Sequence, residues 1–277
     1  MCEMKEQNPN NEGYNPAYKV AEFRDYLKKR YTLLFIPGQQ LSLDKTLIRA
    51  FGRIKFKVRI VSKAARYGIK VYVITDARTA YVLRVLIYTG RTTYTQTGEV
   101  NDHPMKTVQI VNKLVAPFVG THRTIYINRF YTSTELLISL AEKDLYVTGT
   151  LLANRIPLNI RIPKASQKFR SMNRGDAVRS KFIFYKADGT ESTVGLVGWK
   201  DGTMVYCMSN DTNNFEFDEC CWRGDNGIIR IPRPIAIANY NKFMGGVDLA
   251  DMIRLSCDST IMYTHRWWLK PFFTFST

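Results

Sequence analysis

A mixed α/β fold is what this sequence predicts: a sheet flanked by helices, with a β-rich segment inserted late in the chain. Three observations predict it. Residues 69–75 and 79–89 are rich in β-branched residues and alternate poorly, as central, doubly buried strands do. Residues 18–30, 105–118 and 134–143 carry apolar side chains at helical spacing. With 277 residues, 45% of them hydrophobic, the chain can bury a core in one or two domains.

Taken in order, residues 1–17 form a polar lead containing NPNNEGYNP. Val20, Phe23 and Leu27 mark a short amphipathic helix that ends in Lys28-Lys29-Arg30. That cluster reads as a solvated helix end, with contact to DNA or a weak nuclear address as the alternatives. Residues 41–53 look like a strand with Asp44 inside it. A carboxylate in an apolar strand is costly to bury unless it is paired or binds a metal. Lys63 belongs to a short linker, and Gly68 opens the strand at 69–75, which joins the strand at 79–89 through Asp76-Ala77-Arg78 as a hairpin. Residues 91–104 are a polar loop. Val108, Val111, Leu114 and Val115 set the next helical period. The run TIYINRFYTS at 124–133 leads into a helix with Leu136, Leu137, Leu140 and Ala141, capped by Ser133 or Thr134. Residues 144–155 read as strand and turn. Residues 161–179 are basic and turn-rich, with Lys164, Lys168, Arg170, Arg174 and Arg179. Strands follow at 182–185 and 194–199, and Asp201 sits in a hairpin turn.

The run YNKFMGGVDLADMIRL at 240–255 places Asp248 and Asp251 three residues apart, on one face of a helix. Two acids on one face repel, so a fold keeps them close mainly around a cation; two solvated acids on a surface helix is the other reading. Gly245 and Gly246 allow a tight turn or a close backbone approach.

Lys and Arg number 40 against 24 Asp and Glu, a formal net charge of +16 spread along the chain, which favours a polyanionic partner, most simply nucleic acid. The cysteines, Cys2, Cys207, Cys220, Cys221 and Cys257, are odd in number and widely spaced, and no signal peptide precedes them, which points to reduced thiols inside a cell. Cys220 and Cys221 are expected to be structural. Without a CxxC pair, and with His103, His122 and His265 the only histidines, no zinc spacing arises. No apolar run reaches the roughly 18–20 residues that a membrane helix needs.

The spelling YN-x-x-MGGVD-x-x-D resembles the last acidic motif of the piggyBac transposase family. The likeness spans roughly residues 41–268. Asp44 with Gly52-Arg53 is similar to the family's first acidic strand, although Lys45 stands where the family has a glutamate and Phe51 falls one position late. Tyr67-Gly68-Ile69-Lys70, Tyr88-Thr89-Gly90, the strand and turn at 144–155, Trp199-Lys200-Asp201 with Met208-Ser209, the approach at 229–240, and His265-Arg266-Trp267-Trp268 also match. In the second acidic motif, Arg129 to Ser133 fit and Asn128 occupies the aspartate position.

The resemblance implies an RNase H-like DDE/D core. Asp44, Asp248 and Asp251 would hold Mg2+ or Mn2+, and Asn128 marks a degenerate catalytic position. It implies DNA as partner through a basic surface, a nuclear location and no small-molecule substrate, and it leaves a homodimer open. The expected divisions are 1–40 (lead and helix), 41–160 (first part of the core), 161–230 (β-rich insertion) and 231–277 (closing helical part, truncated). The family's N-terminal region and cysteine-rich zinc domain are not visible. The expected activity is that of an element-derived DNA-binding protein that is weak or inactive in catalysis; the alternative is an active metal-dependent transposase cutting and joining at TTAA sites.

Overall fold

The computed structural model describes residues 15–50, 52–61, 66–90, 105–157, 171–224, 227–257 and 266–269. Most of the polar lead, Phe51, Lys63, the loop at 91–104, Lys164, Lys168, Arg170 and His265 lie outside the described residues. In chain order the elements are α1 (Ala21–Leu34), β1 (Gln40–Arg49), β2 (Val58–Arg59), β3 (Tyr67–Asp76), β4 (Val82–Ile87), α2 (Lys106–Val115), β5 (Thr124–Ile127), α3 (Thr134–Ala141), β6 (Tyr146–Leu151), β7 (Ala177–Tyr185), β8 (Glu191–Lys200), β9 (Met204–Ser209), β10 (Phe217–Gly224), β11 (Gly227–Pro234), α4 (Ile235–Phe243) and α5 (Gly246–Cys257). Sheet and helices are both present, as the composition of the segments requires. The chain divides into two units: residues 1–38, 43–115 and 246–277, and residues 39–42 and 116–245.

In the first unit β3 lies beside β1 and pairs antiparallel with β4, from Val71↔Ile87 to Thr75↔Val82. Every residue of β3 from Val71 to Asp76 is buried, which explains its unbroken apolar run. Ile48, Ile69, Val71, Val73 and Ile87 form a core that also takes in Val20 before α1 and Val247 of α5. The expected second hairpin strand begins later than residue 79, at Val82. The reason is Asp76. Its carboxylate accepts from the backbone N–H of Gly38 (2.8 Å), Arg78 (3.0 Å) and Thr79 (2.9 Å) and from the Thr79 hydroxyl (3.0 Å), and Ala80 turns back at φ 61. Asp76 is therefore a turn residue, as its position suggests.

Burial pushes the Asp76 carboxyl up, but the N–H groups of Thr79, Gly38 and Arg78 outweigh it and hold the group below its usual range. A depressed carboxyl stabilises the fold above its unfolded pKa, near 3.9, and loses that contribution as pH falls through the folded value. We expect Asp76→Ala to cost about 2–4 kcal/mol at neutral pH, because it strands several N–H donors. Urea melts from pH 7 down to pH 3 check this: the gap between wild type and variant must narrow as the pH drops below about 4.

In the second unit β5 and β6 are parallel, joined through α3, the crossover such a pair needs. Leu136, Leu137, Leu140 and Ala141 of α3 are buried, and the Ser133 hydroxyl caps the helix by accepting from Leu136 N–H at 3.2 Å. β9 pairs antiparallel with β6 and β8, and β7 pairs with β8 over its full length. The strands read at 182–185 and 194–199 are thus parts of a longer hairpin. β10 and β11 form a second hairpin that no alternation announces, since β10 spells FDECCWRG. Its Cys220 and Cys221 are free thiols, and Cys207 in β9 is a free buried thiol pushed up to about 12 by burial, hence unreactive. A polar knot lies under α4: Thr148 and Ser209 share a hydrogen bond of 2.9 Å, Asn214 donates to both, and Asn239 donates to Asn214.

Candidate functional site

The run at 240–255 folds as two helices with a turn between them. α4 ends at Phe243, and α5 starts at Gly246 with Asp248 in its first turn. A carboxylate there complements the positive end of the helix dipole. Asp248 is exposed; Asp251, one turn on along the same face, is half-buried. A Cβ at Gly245 would meet nothing within 4 Å among the described residues, so of the two roles read for this glycine, a tight turn or a close backbone approach, the structure shows the turn. Gly245→Ala should change stability by less than about 0.5 kcal/mol in a denaturant melt.

Asp251 is tied to β1. The Thr46 hydroxyl lies 2.6 and 2.7 Å from its two carboxylate oxygens, and Arg254 Nη2 lies 3.3 Å from one of them. Thr46 is two residues from Asp44, and alternate strand residues share a face. The first unit therefore brings Asp44, buried in β1, and Asp251 to one face of that strand. Lys45 faces the other way, so the departure from the family at that position leaves the Asp44 face unaltered. There Lys45 helps, after burial itself, to lower the pKa of Lys70. Among the described residues the cation paired with Asp251 is Arg254, whose buried Nε has no hydrogen-bond partner there. Three carboxylates offer the hard oxygen donors that Mg2+ and Mn2+ prefer, so the donor chemistry fits. Among the described residues, however, no three His, Cys, Asp or Glu side chains gather closely enough to hold an ion. The fit rests on Asp44 and Asp251 sharing a face, not on a closed cage.

Asn128 belongs to the second unit, at the end of β5. Its Oδ1 accepts from Phe130 N–H at 2.9 Å, and its carbonyl accepts from Tyr131 and Thr132 N–H and from the Thr132 hydroxyl. This is a side-chain-closed turn that an aspartate would form equally well. Arg155 braces it, donating to the carbonyls of Arg129 (2.9 Å) and Phe130 (3.1 Å). Gly149 in β6 lets it approach: a Cβ there would overlap Thr132 Oγ1 and sit 2.7 Å from Ile127 Cγ1 and 2.8 Å from its carbonyl oxygen. Ser42, at the start of β1, donates to the Met244 carbonyl at 2.6 Å and so anchors the glycine motif within this unit. Sequence reasoning did not single out Thr46, Ser42, Arg155 or Arg254. Only Arg254 carried a signal, three residues after Asp251.

No helix among the described residues is long and apolar enough to cross a membrane. The family model described as Transposase IS4 matches residues 2–277. The human (Homo sapiens) PiggyBac transposable element-derived protein 3 is 26% identical over 250 residues, 87% of this chain and 40% of the relative. The human Chimeric ERCC6-PGBD3 protein is 26% identical over 250 residues, 87% of this chain and 22% of its own length. The chain thus spans well under half the length of these relatives. A cryo-EM structure of a piggyBac transposase synaptic complex with hairpin DNA superposes with a TM-score of 0.69 at 25% identity, covering 92% of this chain and 48% of that one. Its core is RNase H-like, and the mixed sheet flanked by helices described above shares that fold. With the family model covering nearly the whole sequence, the chain belongs to the Transposase IS4 family, as a piggyBac-type transposase relative.

Proposed function

We propose that this chain is a nuclear, transposase-derived DNA-binding protein whose catalytic set is degenerate, so that strand cleavage is weak or absent. The carrying observation is Asn128: the turn around it is intact, yet its side chain is a neutral amide already engaged with Phe130 N–H. Asp44, Asp248 and Asp251 are the residues that would hold Mg2+ or Mn2+. The ion, when bound, lowers the pKa of the attacking water or 3′-hydroxyl and neutralises charge on the scissile phosphate. What the chain itself contributes is positioning: Thr46 orients the Asp251 carboxylate, and Arg254 balances its charge. The surplus of +16 supplies attraction for the DNA backbone.

The test is duplex binding against salt concentration, run beside a nicking assay with Mg2+ or Mn2+. The expected result is affinity that falls linearly on a log–log plot, each engaged phosphate adding about 0.9 to the slope, with nicking near background. Salt-independent binding would refute the DNA-binding half, and robust metal-dependent nicking the other half. A second reading, an active enzyme joining DNA at TTAA sites, is favoured by one feature: Asp44 and Asp251 still share a face of β1.

A further inference from the structure

Arg254 follows Asp251 by three residues on α5, and its Nη2 lies 3.3 Å from the Asp251 Oδ1. The Arg254 and Asp251 side chains are 16% and 20% exposed, so solvent and salt screen this pair less than a surface pair. From β1, the Thr46 hydroxyl lies 2.6 and 2.7 Å from the two oxygens of the same carboxylate and fixes its direction. A hydroxyl has one proton and serves one oxygen at a time, whereas an ionised carboxylate has about four acceptor positions. Among the described residues, then, Thr46 and Arg254 leave part of the Asp251 carboxylate open to a further cation.

Arg254 is itself held loosely. Its contact of 3.3 Å is longer than an ordinary N–H···O hydrogen bond of about 2.7–3.2 Å. Its Nε is buried without an acceptor among the described residues, and a donor left unmet in this way makes the pose a costly one. What the guanidinium brings to Asp251 is charge more than hydrogen bonding. That charge is permanent, because a guanidinium does not shed its proton as a buried ammonium or imidazolium can. A divalent ion approaching Asp251 must displace the guanidinium or sit beside a like charge, and either course lowers its affinity.

We propose that Arg254 is a built-in counter-ion that competes with a divalent cation for Asp251 and weakens the hold of this carboxylate face on such an ion. The inference rests on the reading of Asp251 as a residue that would hold Mg2+ or Mn2+. The experiment titrates Mn2+ alone into the 277-residue chain by calorimetry and follows thermal unfolding in rising Mn2+. Arg254→Gln and Arg254→Met remove the charge, the second keeping an apolar stem, and Arg254→Lys retains it. Both neutral variants should bind Mn2+ roughly tenfold or more tightly than wild type, and melt higher in its presence. Arg254→Lys should stay within about threefold of wild type, since it keeps a cation at the same place. Adding Asp251→Asn to Arg254→Gln should erase the gain, which locates it on this carboxylate. Neutral variants that bind no more tightly than wild type would overturn the proposal, as would an equal gain in Arg254→Lys. Loss of the fold in both neutral variants, with Arg254→Lys intact, would make the pair structural and overturn it too. Mn2+ affinity that Asp251→Asn abolishes but the neutral variants leave unchanged sinks the counter-ion alone; affinity indifferent to Asp251→Asn sinks the metal-holding reading beneath it. Neither result touches duplex binding, which is measured separately.

Discussion

Asn128→Asp is expected to raise metal-dependent nicking by at least tenfold over the wild-type chain, with no change in melting temperature beyond about 1 °C. The two halves of that result have separate causes. The fold is indifferent because the turn is closed by Oδ1, which accepts from Phe130 N–H, and a carboxylate oxygen accepts the same hydrogen bond. Under the proposed reading, in which position 128 faces the metal ion, the chemistry is not indifferent. A unit negative charge about 4 Å from a divalent cation is worth roughly 8 kcal/mol at an effective dielectric near 20, as an upper bound. Asn128 is half-buried, so solvent screens part of that. If a quarter survives, about 2 kcal/mol, the rate changes roughly thirty-fold. The measurement is single-turnover nicking in Mg2+ and in Mn2+, both proteins at equal folded concentration. Equal activity in the two proteins would place the defect elsewhere, with Arg254 on Asp251 the next suspect. Equal and robust activity would make the amide a working ligand and revive the active reading.

The parts of this molecule that were legible in the sequence are those fixed by neighbours along the chain. Asp76 ends β3 in a turn because its acceptors reach N–H groups two and three residues on. Ser133 caps α3 three residues ahead, and Asp248 and Asp251 share a helix face by spacing alone. What stayed hidden depends on residues far apart. Thr46 and Asp251 are 205 residues apart, and nothing in a threonine within an apolar strand says that its hydroxyl will meet a carboxylate. Arg155 bracing the Asn128 turn is the same kind of contact, 26 residues away. The hairpin of β10 and β11 escaped for a different reason: burial does alternate along β10, but its half-buried face mixes Cys220 and Trp222 with Asp218, which Arg233 neutralises, and its exposed face carries Phe217, so the side-chain types do not follow the faces. The break at Met244 was legible by contrast, because it falls against the glycine pair, which allows a tight turn. Lys45 gains its meaning only from the strand geometry, which sends it away from Asp44.

Gly149→Ala should destabilise the second unit by about 3 kcal/mol, a loss of roughly 6–12 °C in melting temperature for a unit of this size. β5 and β6 are parallel with Ile127 opposite Gly149, and the missing Cβ is what lets Thr132 fold back over that pair. An added methyl overlaps Thr132 Oγ1 and presses on the Ile127 carbonyl, which is fixed backbone and cannot swing aside as a flexible side chain would. The Thr132 hydroxyl then loses its hydrogen bond to the Asn128 carbonyl (3.0 Å), so the turn carrying Asn128 loosens along with the sheet. The contrast is Gly245→Ala, where a methyl meets open space and stability should hold. Because the overlap is partly with Thr132, adding Thr132→Ala to Gly149→Ala should cost less than the two single losses summed, a coupling of about 0.5–1 kcal/mol readable in a double-mutant cycle. Strict additivity would mean that the glycine serves only the backbone pairing of β5 and β6, and that the Asn128 turn owes nothing to it.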